Sequence, residues 1–106
     1  MVQKTNKNIS IIQKFIKKLK KTMSIEKFIL FGSRAKGTFN SRSDFDVMIV
    51  SDDFKDILWY KRPVNMQLKW KEDYPLEILA YTPEEFEKKK NQIGIVQQAV
   101  KEGIEI

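Results

Sequence analysis

The stretch IEKFILFGSRAKGTFNSRSDFDVMIV, from Ile25 to Val50, decides how this chain reads. It opens and closes on runs of β-branched and aromatic residues, Ile25–Phe31 and Asp44–Val50, which read as two strands. Gly32 stops the first, and Ser51-Asp52-Asp53 ends the second. Residues 32–43 between them are rich in Gly, Ser and charge, a loop with room for one helical turn. Asp44 and Asp46 stand two apart at the start of the second strand, so both side chains emerge on one face, while Phe45 and Val47 can enter a core.

Upstream of this stretch the pattern is helical. Ile9, Ile12, Ile16, Leu19 and Met23 recur at steps of three and four, Phe15 widens the stripe, and Lys14, Lys17, Lys18, Lys20 and Lys21 fill the other positions. Asn8 or Thr5 would cap the helix. Downstream, Asp53 would cap a helix from Phe54 that Pro63 interrupts or restarts, with Met66 and Trp70 one turn apart. Leu76–Tyr81 reads as a third strand. Thr82, Pro83 and Glu85 together mark a helix start with a capping box. A last helix spans roughly residues 93–101, and Gly103 stops it. The order helix, strand, loop, strand, helices, strand, helices describes one α+β domain over residues 1–106.

Composition narrows the chemistry. The chain has 106 residues, no Cys and no His. Thiol catalysis, disulfides, Cys/His zinc sites and imidazole bases are therefore excluded. Catalysis here has to run on carboxylates, hydroxyls, amines, guanidinium groups and a metal that carboxylates can hold. No apolar run approaches the ~18 residues that span a bilayer, so the expected location is the cytoplasm, away from membranes.

The net charge of +6 conceals a split. Residues 1–42 carry nine Lys and two Arg against one acid, Glu26, for +10; residues 43–106 carry nine cations against thirteen acids, for −4. A basic arm for nucleic acid and a phosphate-binding half facing a metal-binding half both fit that asymmetry. The Lys14–Lys21 face has no interleaved exposed aromatics or Arg, which favours a solvated face over direct nucleic-acid binding.

Two carboxylates held side by side repel each other unless a cation sits between them, and Mg²⁺ binds through one or two carboxylates plus substrate phosphates. Asp44 and Asp46 therefore make either a metal clamp or an ordinary solvated strand end. Glu77, in the otherwise apolar LEILAY, joins them as a third ligand if its strand neighbours theirs; otherwise it is an edge acid facing water. Gly32 and Ser33 open a turn whose free N–H groups suit an anion, and Arg34, Lys36 and Arg42 stand nearby; taken alone, this is also what a glycine turn with surface cations looks like.

Gly32-Ser33, ten residues and then Asp44-Phe45-Asp46 make the pattern GSx(10)DxD. In these residues the chain resembles the minimal nucleotidyltransferases of the DNA polymerase β-like superfamily, and PLEILAYTPEEFEK and VQQAVKEGIEI extend the likeness over nearly the whole chain. The resemblance implies a polymerase β-like fold, a small mixed sheet of three to four strands flanked by helices. It implies that Asp44 and Asp46 hold one or two Mg²⁺ ions and, through them, the phosphates of ATP. Glu77 takes the third carboxylate position, usually Asp, which helps activate the attacking hydroxyl. Gly32 and Ser33 would hold the β- and γ-phosphates, with Arg34 and Lys36 assisting. Lys36 stands where Arg is common, exchanging a bidentate fork for a point charge.

Proteins of this kind resemble the antitoxin half of two-gene modules whose toxin is a HEPN-domain RNase, silenced by adenylylation of a Tyr. The implied function is a Mg²⁺-dependent protein adenylyltransferase, the antitoxin of a type VII toxin–antitoxin system, in a complex with its HEPN toxin. The alternatives are a weakly active or inactive transferase fold that neutralises its partner by binding alone, and, less favoured, a nucleic-acid-binding protein. Trp59, Tyr60, Trp70 and Tyr74 are candidate interface aromatics; core packing is the preferred reading for the tryptophans.

Overall fold

The structure, a computed structural model, describes residues 2–106, with the side chains of the first helix from Asn6 onward. Its sheet has four strands in the order β3-β2-β1-β4. β1 (Lys27–Phe31) and β2 (Phe45–Val50) pair antiparallel, and β3 (Leu76–Tyr81) lies parallel to β2. β4 (Ile104–Glu105) returns antiparallel to β1. Two residues are too few for a period-2 signal, which is why this strand is silent in the sequence.

Each face of the sheet has its own core. On one face Phe28, Leu30, Phe45, Val47, Ile49, Ile78 and Ala80 meet Ile12, Phe15, Ile16 and Leu19 of α1 (Val2–Leu19) and Met66 of α3 (Pro63–Gln67). Phe15 stands edge-on to Phe28 at 6.3 Å and to Trp70 at 5.1 Å. On the other face Ile29, Phe31, Met48 and Val50 meet Phe86 of α4 (Pro83–Lys89) and Val96 and Ala99 of α5 (Ile95–Glu102). Side chains of this kind contribute about 1.5–3 kcal/mol each when fully buried, so the alternation in β1 and β2 settles which residues face which helices.

The caps read from the sequence divide. Thr82 accepts from Glu85 N at 3.2 Å and Glu85 Oε1 accepts from Thr82 N at 2.8 Å, the expected capping box, with Pro83 in the first turn. Pro63 begins α3 in the same way. α1, however, starts at Val2, so Asn8 and Thr5 lie within the helix rather than at its start; the side chain of Thr5 falls outside the described residues. Asp53 caps no helix: Ser51 caps a single 3₁₀ turn, Asp52–Phe54, by accepting from Asp53 N, and Asp53 itself accepts from Ser24 N at 2.9 Å. A second 3₁₀ turn, Trp59–Lys61, precedes α3, so the long helix expected after Phe54 is broken into three short pieces. Among the described residues no helix is long and apolar enough to cross a membrane.

Candidate active site

β1 ends at Phe31, and the chain turns at Gly32 into the four-residue helix α2 (Ser33–Lys36). Because β2 runs antiparallel to β1, its start returns to the place where β1 ended: Phe31 pairs with Asp46. Because β3 runs parallel to β2, Asp46 also pairs with Glu77 on its other side. Three strand termini thus bring Gly32, Asp46 and Glu77 to one end of the sheet, with Asp44 just before β2. Asp46 shares its face with Met48 and Val50, beneath α4 and α5.

Gly32 has a positive φ of 74°, which a side chain disfavours, and a Cβ placed there would collide with Asp46 Oδ2. The absence of a side chain lets the Asp46 carboxylate lie against the turn. Ser33 N–H and Arg34 N–H open α2 without helical partners, as the first amides of any helix do, and Gly37 ends the turn in the left-handed region.

Asp46 is half-buried, whereas Asp44 and Glu77 are exposed. Burial, then the charge of Glu77, then that of Asp44, push the Asp46 carboxyl from an ordinary 3.8 up to about 6. Electrostatic coupling reaches further than coordination, however. Among the described residues no three acidic side chains sit close enough together to cage a metal by themselves. Asp44 and Asp46, two residues apart at the start of β2, are the carboxylates that a hard cation would take there, its other ligands being oxygens from outside the chain.

Arg34 does not join the site. It is only 3 % exposed, its Nε and Nη2 donate to Ser43 O at 3.2 and 3.0 Å, and Nη1 donates to Asn8 Oδ1 at 3.3 Å. Its guanidinium lies 4.5–4.6 Å from the ring centres of Phe39, Phe45 and Tyr74. In place of a phosphate contact it pins the loop to α1 and β2, and burial lowers its pKa. Asn8, 2 % exposed, completes the brace by donating Nδ2 to Arg34 O at 3.0 Å. A polar residue inside the apolar stripe of α1 is the sequence signal that fits this role. Lys36 remains beside the turn, half-exposed and paired with Glu102 of α5 at 2.6 Å, a partner that no spacing in the sequence announced.

Trp70 and Tyr74, both partly buried, pack on the margin of the core against Phe45 at 5.3 and 5.4 Å. Trp59 is 74 % exposed, against the core reading, and Tyr60 is exposed beside it. A groove of about 370 Å³ lies against Asp44 and Glu77, walled by Val64 and Gln67. A cavity of about 940 Å³ between the end of α1 and α3 is lined by neither Asp44, Asp46 nor Glu77.

The model of the nucleotidyltransferase domain family matches residues 9–104. The chain belongs to that family. A crystal structure of a candidate nucleotidyltransferase from Sulfolobus solfataricus superimposes with a TM-score of 0.67 at 15 % identity, covering 98 % of this chain and 83 % of the other; at that identity the likeness is one of fold. No curated protein sequence matches the chain. Nucleotidyltransferase domains generally use an NTP and a divalent metal. The residues here fit such a metal: the donors are all carboxylate oxygens, and the side-chain-free Gly32 lets the Asp46 carboxylate lie against the turn that opens α2.

Proposed function

We propose that this nucleotidyltransferase is a Mg²⁺-dependent protein adenylyltransferase, moving AMP from ATP to a Tyr hydroxyl of a HEPN-domain toxin as the antitoxin of a type VII toxin–antitoxin pair. The observation that carries the reading is the register that sets Asp46 between Phe31, one residue before Gly32, and Glu77.

In this reading Asp44 and Asp46 hold Mg²⁺, which when bound offsets the charge of the triphosphate. Gly32 and Ser33 offer backbone N–H groups and a hydroxyl to the terminal phosphates, and Lys36 is the cation at hand. Glu77, exposed at the mouth, orients the acceptor hydroxyl and takes its proton. The hydroxyl oxygen forms the new bond to the α-phosphorus as the bond to pyrophosphate breaks, and pyrophosphate leaves. Positioning and electrostatics supply nearly all the rate in such a transfer.

A second reading, a transferase fold that silences its partner by contact alone, is favoured by one observation: the exposed Glu77 does not close a three-acid cage. Incubation with ATP labelled at the α-phosphate, Mg²⁺ and the product of the adjacent gene separates the two. The transferase reading expects label on a partner Tyr and none with Asp44→Asn or Asp46→Asn. A stable complex that forms without label and survives both substitutions would establish the contact reading instead.

A further inference from the structure

We propose that the edge of β3 at Ile78, between the side chains of Gln67 and Arg62, seats an extended segment of the acceptor protein, its hydroxyl at the Asp44–Glu77 end and an acidic side chain at the Lys89 end. The inference rests on the reading of a protein acceptor above and says where and how that acceptor binds.

β3 is the outermost strand of the sheet, so one row of its backbone groups has no neighbouring strand. The parity of that row is visible in its partners. Pro75 O and Tyr81 O accept from Phe45 N and Ser51 N, towards β2. The backbone groups of Leu76, Ile78 and Ala80 therefore point away from β2, while the Ile78 and Ala80 side chains lie in the core. Leu76 O accepts from Gln67 Nε2 at 2.7 Å and Ala80 O from Arg62 Nη1 at 3.1 Å. Those two side chains close the ends of the edge and leave the backbone groups of Ile78, midway between them and 7 % exposed, as the part directed outward. An edge left open over so short a span pairs with a single short segment rather than with another sheet.

The same edge is hollowed. The groove of about 370 Å³ at Asp44 and Glu77 and a second of about 570 Å³ at Trp59, Tyr60, Leu79 and Tyr81 both have Pro63 and Ile78 in their walls, so they form one trough. Its rim carries Trp59, Tyr60 at 55 % and Val64 at 56 % exposure, apolar surface of the kind that marks a binding face. Trp59 and Tyr60 hold each other edge-on at 5.7 Å.

Charge orders the trough. The Asp44–Glu77 end is acidic. At the other end Arg62 is neutralised by Glu85 at 2.6 Å, which leaves Lys89, its Nζ 5.9 Å from the centre of the Tyr81 ring, as the cation in the wall. Glu77 and Tyr81 are four residues apart, about 13 Å at ~3.3 Å per residue. The fitting segment therefore carries the hydroxyl, then apolar or β-branched residues, then a carboxylate about four residues on. A second copy of this chain fits less well, because edge-to-edge pairing would set Gln67 and Arg62 of both copies against each other.

The test is a titration of the full chain, without nucleotide, with the peptide acetyl-Gly-Tyr-Val-Thr-Val-Asp-Gly-amide. Amide shifts and Trp emission are read, because Trp59 is the exposed tryptophan. The expected result is shifts centred on Ile78 and Leu79, a blue-shifted emission lost in Trp59→Phe, and binding about tenfold weaker in Trp59→Ala, in Tyr60→Ala and with Lys in place of the peptide's Asp. Trp59 and Tyr60 are exposed, so neither variant threatens the fold. Shifts confined to the lysines of α1, no shifts at millimolar peptide, or affinity indifferent to Trp59 would overturn the proposal. So would self-association abolished by Trp59→Ala, which would assign the face to a second copy. Failure of the transferase reading shows separately, as absent label transfer with peptide binding intact. Failure of the trough leaves shifts at Gly32 and Asp46 with Mg²⁺ and ATP untouched.

Discussion

Replacing Asp46 by Asn is expected to remove activity and at the same time to stabilise the protein. Burial and the charges of Glu77 and Asp44 hold this carboxyl at about 6 against an ordinary 3.8. At about 1.4 kcal/mol per pH unit that difference amounts to about 3 kcal/mol. Asp46 is partly open to water, and screening reduces the figure to about 1–2 kcal/mol. The sign follows from linkage. Between the two values the folded state binds more protons than the unfolded one, so stability falls as pH rises from about 4 to 6, and the whole penalty is present at neutral pH. Asn carries no such penalty. Thermal melts are therefore expected to place the Asn variant about 5–10 °C above wild type at pH 7.5, with the gap closing towards pH 4. Mg²⁺ with ATP, binding only the folded state, should then raise the wild type and leave the variant unmoved. A variant less stable than wild type at neutral pH, or a gap that does not change with pH, would refute the idea that Asp46 is held ionised against its neighbours.

Gly32→Ala is expected to cost about 1–3 kcal/mol, because the substitution meets both a positive φ and Asp46 Oδ2, and to abolish nucleotide binding measured by calorimetry. Arg34→Lys should lower the melting temperature, a loss of about 2–4 kcal/mol from a guanidinium that braces Asn8, Ser43 and three rings. Lys36→Ala should leave the melting temperature within the range of surface substitutions, about 0.5 kcal/mol, and show its effect in ATP affinity alone. Glu85→Gln should destabilise at neutral pH only. Arg62, donating to that carboxylate, keeps its pKa below the ordinary 4.5, so the contribution is present above about 4.5 and disappears as the pH falls through the folded value; urea titrations at several pH values would follow it.

How much of this could be read from residues alone varies with the range of the interaction. The strands at Ile25–Phe31, Asp44–Val50 and Leu76–Tyr81 and the capping box at Thr82 are announced by neighbours in sequence, and they stand within two residues of where they were expected. The pairing of Gly32-Ser33 with Asp44 and Asp46 was legible because a fixed spacing between two strand ends carries it. Arg34 and Asn8 were not. Both are polar, and nothing local distinguishes an arginine aimed at a phosphate from one stacked among three rings and bonded to a residue 26 positions away. Trp59 and Trp70 diverge for the same reason: one residue type has two environments, fixed by whether Phe15 and Phe45 lie within reach.

The sequence by itself determined three of the four strands, the faces of α1, a chemistry without His or Cys and the loop that joins Gly32 to Asp46. Each of these rests on period, turn chemistry or composition, which act over a few residues. Only the tertiary structure decided that β3 lies beside β2, and with it that Glu77 stands next to Asp46 and raises its pKa. The order of strands depends on how two apolar faces are covered at once by α1 and α3 on one side and α4 and α5 on the other, a balance of burial over the whole chain that no local pattern encodes.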